Sequence, residues 1–99
     1  MYEIAWSEAS RADLKALPAF WRRRVAAAVE QLVHQAEIET RNRKRLRQAP
    51  QGFWDAEWNL RVGDLRVLYR VIDGRIAQVL RVILKGTATT DDALKRVKP

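Results

Sequence analysis

Apolar and polar residues alternate along three successive segments between Asn59 and Leu84, and two short turns interrupt them. Gly63-Asp64 and Asp73-Gly74 lie between β-branched and apolar runs, a pattern that predicts tight hairpin turns. With two residues in each loop, Val62 stands opposite Leu65 and Ile72 opposite Arg75. Counting back along the ladders, Trp58 meets Tyr69. Leu60, Val67 and Leu80 form one cross-strand row, and Val62, Leu65 and Val82 form another. Side chains change face at every residue, so these rows make one apolar face that something must cover. The other face sets Glu57 against Arg70, Asn59 and Leu68 beside Val79, and Arg61, Arg66 and Arg81 in one lateral row. Like charges directly opposite each other cost up to about 1 kcal/mol per pair. Three arginines in a row therefore predict an anionic occupant. The plainer alternative is a solvated face with arginine stems lying over Leu68 and Val79.

Upstream, Tyr2 to Trp6 alternates and predicts a first strand. Ser7 is a suitable N-cap for a helix over residues 8–16. Pro18 fits the start of a second helix after a corner at Leu17. Trp21, Val25, Ala28, Val29, Leu32 and Ala36 recur at helical spacing and form an apolar stripe. The two helices, folded as a hairpin, can cover the apolar sheet face. The predicted architecture is a single α+β domain over residues 1–99. It has two layers, a helical hairpin on a twisted, mainly antiparallel four-stranded sheet. The alternation from Phe53 to Val62 places Trp54, Ala56, Trp58 and Leu60 on the core side. Thr89 and Asp92, at capping-box spacing, predict a short C-terminal helix to Val97. Between Thr40 and Gly52 the periodicity stops. There Arg41 to Arg47 holds five basic residues in seven and reads as a loop.

Ninety-nine residues with 47% hydrophobic content support one core, anchored by four tryptophans. With no cysteine, disulfides and thiolate metal sites are excluded, and a reducing, cytoplasmic setting is expected. No signal-peptide pattern or run of membrane-spanning length occurs, and no membrane partner is expected. The formal net charge of +7 bears on partners: nucleic acid or an acidic protein surface would answer it.

Candidate chemistry follows from the charge. Arg41, Arg43, Lys44, Arg45 and Arg47 form a candidate nucleic-acid-binding segment that leads into the sheet. Arg61, Arg66 and Arg81 form a candidate phosphate-holding row, since guanidinium forks match phosphate oxygens and keep their charge. Lys85, on the face of Arg81 by alternation, is the candidate proton handler beside them. His34, the single histidine, falls on the outer helix face. Tyr69 falls on the core face, and Glu57 has Arg70 opposite. No phosphate-binding glycine loop, nucleophile elbow or zinc-spaced His/Cys cluster occurs, so no cofactor and no metal are expected.

Leu60-Arg-Val-Gly-Asp-Leu-Arg-Val-Leu-Tyr-Arg-Val71, preceded by Arg43-Lys-Arg-Leu46 and Phe53-Trp54, resembles toxins of the RelE/ParE superfamily of bacterial type II toxin–antitoxin systems. The resemblance spans nearly the whole chain and implies a toxin neutralised by a cognate antitoxin. RelE-like members cut messenger RNA on the ribosome without metal; ParE-like members inhibit DNA gyrase. The resemblance thus implies a ribosome-dependent mRNA endoribonuclease. The alternatives are a non-enzymatic gyrase inhibitor or a degenerate member kept for antitoxin binding and co-repression. Arg66 matches the family's third-strand arginine, and Arg61 a basic position before the first turn. The two lysines of RelE-type enzymes correspond here to Glu57 and Asn59. The last basic position corresponds to Lys85 or Gly86. The C-terminal tyrosine of RelE-type sites has no counterpart after Tyr69.

Overall fold

The computed structural model describes residues 1–84. They form β1 (Glu3–Trp6), α1 (Glu8–Ala16), α2 (Ala19–Glu30), α3 (Leu32–Gln35), β2 (Arg43–Arg45), β3 (Trp58–Val62), β4 (Leu65–Ile72) and β5 (Ile76–Leu84). The expected C-terminal helix, like Lys85, lies outside the described residues. α1 starts where Ser7 predicts: its Oγ accepts the Ser10 N–H at 3.0 Å. Glu8 in the first turn and Lys15 in the last complement the helix dipole. Pro18 stands at the N-cap of α2, where its missing N–H costs nothing.

The architecture is the expected α+β arrangement of helices on a sheet, with one strand more than the sequence pattern suggests. The sheet has five strands in the order β1-β5-β4-β3-β2. β1 pairs with β5 in parallel, and the other neighbours are antiparallel. The extra strand is β2, three residues inside the basic segment that pair with Leu60, Asn59 and Trp58. A strand of Arg-Lys-Arg has no apolar alternation, so periodicity misses it.

Val25, Val29, Leu32 and Ala36 of the helical stripe are buried against Trp58, Leu60, Val62, Leu65, Val67, Tyr69, Val79 and Val82. The Trp58 and Tyr69 rings stack with centroids 5.9 Å apart. The Tyr69 hydroxyl donates to the Ala36 carbonyl at 2.6 Å, which fastens the end of the helical layer to the sheet. Trp21 packs on the first hairpin, where Gly63 takes φ +58°; a Cβ there would lie 2.8 Å from the indole ring. Both the left-handed backbone and the close contact require glycine at this point.

The first hairpin keeps the expected register, with Val62 opposite Leu65 and Arg61 opposite Arg66. The second does not. Asp73 (φ 54°) and Gly74 (φ 64°) make a tight turn closed by the Arg75 N–H on the Ile72 carbonyl. The ladder leaving it pairs Ile72 with Ile76, however, so Arg75 is spare. A bulge between Leu68 and Tyr69 leaves Leu80 spare as well, because Tyr69 faces Val79 and Leu68 faces Arg81. The first slip turns β5 over and the second turns it back. Val79 therefore lies in the main core and Leu80 beside the opposite face. Arg66 faces Ile83, not Arg81.

The bulge is stabilised from outside the sheet. β1 ends at Trp6, opposite Val79, so α1 covers the next stretch of β5 with side chains. The Ser7 N–H and the Ser10 Oγ donate to the Val79 carbonyl, the Ser7 Oγ donates to the Leu80 carbonyl, and Asp13 accepts the Val82 N–H at 2.9 Å. These backbone groups would otherwise lack partners at a buried edge.

Residues 53–57 depart from expectation: they are not strand but continue the expected loop, which folds over the second sheet face, where Leu46, Phe53 and Ala56 pack on Leu68, Leu80 and Ile83. Ala56 is thus buried on the opposite side from Trp58, and Trp54 is not core but 69% exposed.

Candidate functional site

The face opposite the helices carries the charged residues. Arg61 and Arg66 are direct cross-strand partners. Arg61 is exposed, whereas Arg66 is only 8% exposed. The Arg66 Nη1 donates to the carbonyls of Gly63 (3.0 Å) and Leu65 (2.9 Å), so its guanidinium curls towards the turn. Burial, reinforced by the Arg61 charge, lowers its pKa from the usual arginine value. It remains a cation at neutral pH. One rung further along, Lys44, Asn59, Leu68 and Arg81 share a row on the same face. Lys44 is exposed, and the Asn59 Oδ1 is buried without a hydrogen-bond partner.

Arg81 does not complete a row with Arg61 and Arg66. The slips in β5 move it opposite Leu68, and Asp13 of α1 clamps it there. Its Nε donates to Asp13 Oδ2 at 2.7 Å and its Nη2 to Oδ1 at 3.1 Å. The carboxylate raises the Arg81 pKa. The ring of Phe53 lies 5.4 Å from the guanidinium on another side. A forked ion pair of this kind neutralises the charge and occupies the Nε–Nη2 edge of the guanidinium, one of the edges with which it could fork a phosphate. No spacing within the sequence marks Asp13 as its partner, because the contact spans 68 residues.

The basic segment is likewise divided. Arg43 is 2% exposed, and its Nη1 donates to the Gln35 carbonyl and Oε1 and to the Ile38 carbonyl at 3.0–3.2 Å. It closes the C-terminal end of α3 from inside the protein and is not a surface contact for nucleic acid. Arg41, Lys44, Arg45 and Arg47 are exposed. Strand alternation sends Lys44 to the Arg61 face and Arg45 to the other, where its guanidinium lies 5.7 Å from the Trp58 ring. The β3–β4 hairpin pairs Arg61 with Arg66, and what adds Lys44 to their face is β2, the strand that periodicity misses.

The remaining candidates take no part in this face. His34 is exposed on α3, and Tyr69 is buried under the helices. The Glu57 carboxylate accepts the Val71 N–H at 3.0 Å, while Arg70 donates to Gln78. Among the described residues no group of three or more His, Asp or Glu side chains could hold a metal ion. No helix among them is long and apolar enough to cross a membrane.

The fold, a helical hairpin on a five-stranded sheet, matches that of solved toxin–antitoxin structures. The chain is similar to RelE in a RelE–RelB complex from Pyrococcus horikoshii OT3, with 22% identity, a TM-score of 0.69, and 88% of this chain and 98% of that one covered. It is similar to a chain of the toxin–antitoxin complex RelBE2 from Mycobacterium tuberculosis, with 25% identity, a TM-score of 0.64, and coverage of 82% and 94%. Isolated Escherichia coli RelE matches with 18% identity, a TM-score of 0.65, and coverage of 98% and 99%. No curated protein sequence matches. The sequence profile described as the ParE toxin of type II toxin–antitoxin system, parDE, matches residues 4–86. The chain belongs to this family and is a RelE/ParE superfamily toxin of a type II toxin–antitoxin system.

Proposed function

We propose that this toxin arrests growth by binding DNA gyrase, without cutting nucleic acid, and that a cognate antitoxin neutralises it. The observation that carries the reading is the Asp13 clamp on Arg81, which removes one of the three guanidiniums a phosphate-holding row would need. The match to the ParE profile supports it. So does the helical hairpin, which presents Phe20 (57% exposed) with Arg22, Arg23 and Arg24, the aromatic and arginine chemistry of protein-binding hot spots.

A second reading, the ribosome-dependent and metal-independent mRNA endoribonuclease, is favoured by one observation. Lys44, Arg61 and Arg66 share a face, and among the described residues no carboxylate lies within ion-pair distance of them. In that reading Arg61 and Arg66 hold the scissile phosphate, Arg41, Lys44, Arg45 and Arg47 grip RNA, and Lys85 assists proton transfer. In either reading an acidic or extended antitoxin segment over Arg61 and Arg66 would relieve their repulsion.

A supercoiling assay with purified gyrase, run beside pulse-labelling of induced cells, tests the proposal. Inhibited supercoiling and an early fall in thymidine incorporation are expected, with Arg66→Gln retaining both effects. An early fall in methionine incorporation that Arg66→Gln abolishes, with supercoiling untouched, would replace this reading with the nuclease.

A further inference from the structure

The N-terminal half of α2 carries side chains that the core does not use. Phe20 and Arg24 are both exposed on it. A single exposed aromatic side chain is ordinary, so what matters is how this one is held. The Phe20 ring meets Trp21 edge to face, with centroids 5.6 Å apart and planes at 82°. Trp21 is itself wedged on the first hairpin, where its ring leaves no room for a Cβ on Gly63. The Arg24 guanidinium lies over both rings, 4.8 Å from the Trp21 centroid and 5.7 Å from that of Phe20. Phe20 and Trp21 stand four and three residues before Arg24, the spacings that bring side chains together on a helix. Arg22, two residues after Phe20, does not face it.

Charge says what would cover these side chains. α2 opens Ala-Phe-Trp-Arg-Arg-Arg, with no acidic residue in its first turn and no side-chain cap at Pro18. The positive end of the helix dipole therefore adds to the charge of the arginines. Among the described residues no carboxylate lies within ion-pair distance of Arg24. A guanidinium stacked by its face keeps its N–H edge for a planar, bidentate acceptor. Beside that edge stands an aromatic ring that is more than half exposed. The complement is a protein segment that sets an Asp or Glu carboxylate on Arg24 and an apolar side chain on Phe20. Both side chains are ordered by Trp21 before a partner arrives, so little conformational freedom is left to lose on binding.

We infer that Phe20 and Arg24 anchor the contact with gyrase and receive an acidic segment of it, an apolar side chain beside a carboxylate. This rests on the gyrase reading and narrows it from the whole helical hairpin to one pair of side chains. The test is binding of the purified toxin to purified gyrase by biolayer interferometry at constant ionic strength, with the cognate antitoxin as second analyte. Phe20→Ala and Arg24→Gln, each with the thermal transition of the unaltered protein, should weaken gyrase binding at least about tenfold, chiefly through faster dissociation. Arg24→Lys should lose nearly as much, because an ammonium cannot fork a carboxylate. Arg75→Gln, at the second hairpin, should bind as the unaltered toxin does. Unchanged gyrase affinity in Phe20→Ala or Arg24→Gln would overturn the anchor and leave the gyrase reading standing. No gyrase binding by the unaltered toxin would overturn that reading and the anchor with it. Variants that lose the antitoxin and keep gyrase would assign the pair to the antitoxin, which also overturns the inference.

Discussion

At the scale of single residues, two polar side chains under the helices carry much of the structural specificity. Tyr69 is buried and its pKa is raised, chiefly by desolvation. A raised folded pKa stabilises the protein fully below the unfolded value near 10. That contribution is lost as pH rises further, since the unfolded chain releases a proton that the buried phenol keeps. Tyr69→Phe should therefore cost about 1 kcal/mol at neutral pH for the lost bond to Ala36. It should also flatten the alkaline fall in stability, read by urea denaturation across pH 8 to 11. Arg43→Met should cost about 3 kcal/mol in the same assay, because the Gln35 and Ile38 carbonyls lose their donor. Tyr69 was legible in the sequence as a core residue stacked on Trp58. Arg43 was not, since a basic run gives no sign of which member turns inwards. That depends on where α3 leaves its carbonyls, a tertiary fact.

At the scale of elements, turn chemistry and side-chain period gave α1, the helical stripe and the first hairpin directly. Gly63→Ala tests the tightest of these. It combines a left-handed backbone with a collision against Trp21, so a loss of about 1–3 kcal/mol is expected in thermal unfolding. Sequence counting failed in β5 because a ladder can hold spare residues without any local mark. Arg75, at the end of the turn, and Leu80, within β5, carry no such mark. The groups that stabilise the bulge, Ser7, Ser10 and Asp13, lie in α1 and its N-cap, 69 to 73 residues away. The candidate site suffered most from this, since moving Arg81 by one rung changes which cations can share a ligand. Residues 53–57 misled for a related reason: their alternation is real, but Phe53 and Ala56 pack a small second cluster instead of extending β3.

At the scale of the whole molecule, the chain carries a net charge of +7, and exposed cations stand both on the Arg61 face and along α2. Association with an acidic partner should accordingly slow as salt rises, a change expected mainly in the on-rate. The sheet order has a further consequence, for the sequence of events during synthesis. β1 is the first strand made, and its neighbour β5 is the last strand described. Until Ile76 to Leu84 exist, β1 has no partner, α1 has no strand edge to cover, and the apolar stripe of α2 faces an incomplete sheet. A fragment of residues 1–75 should lack the cooperative thermal transition of the whole chain in circular dichroism; a sharp transition would refute this. The growing chain thus spends most of its synthesis with its first strand unpaired. A binding partner that supplies a strand or covers an apolar stripe has its opening then, before the toxin has closed on itself.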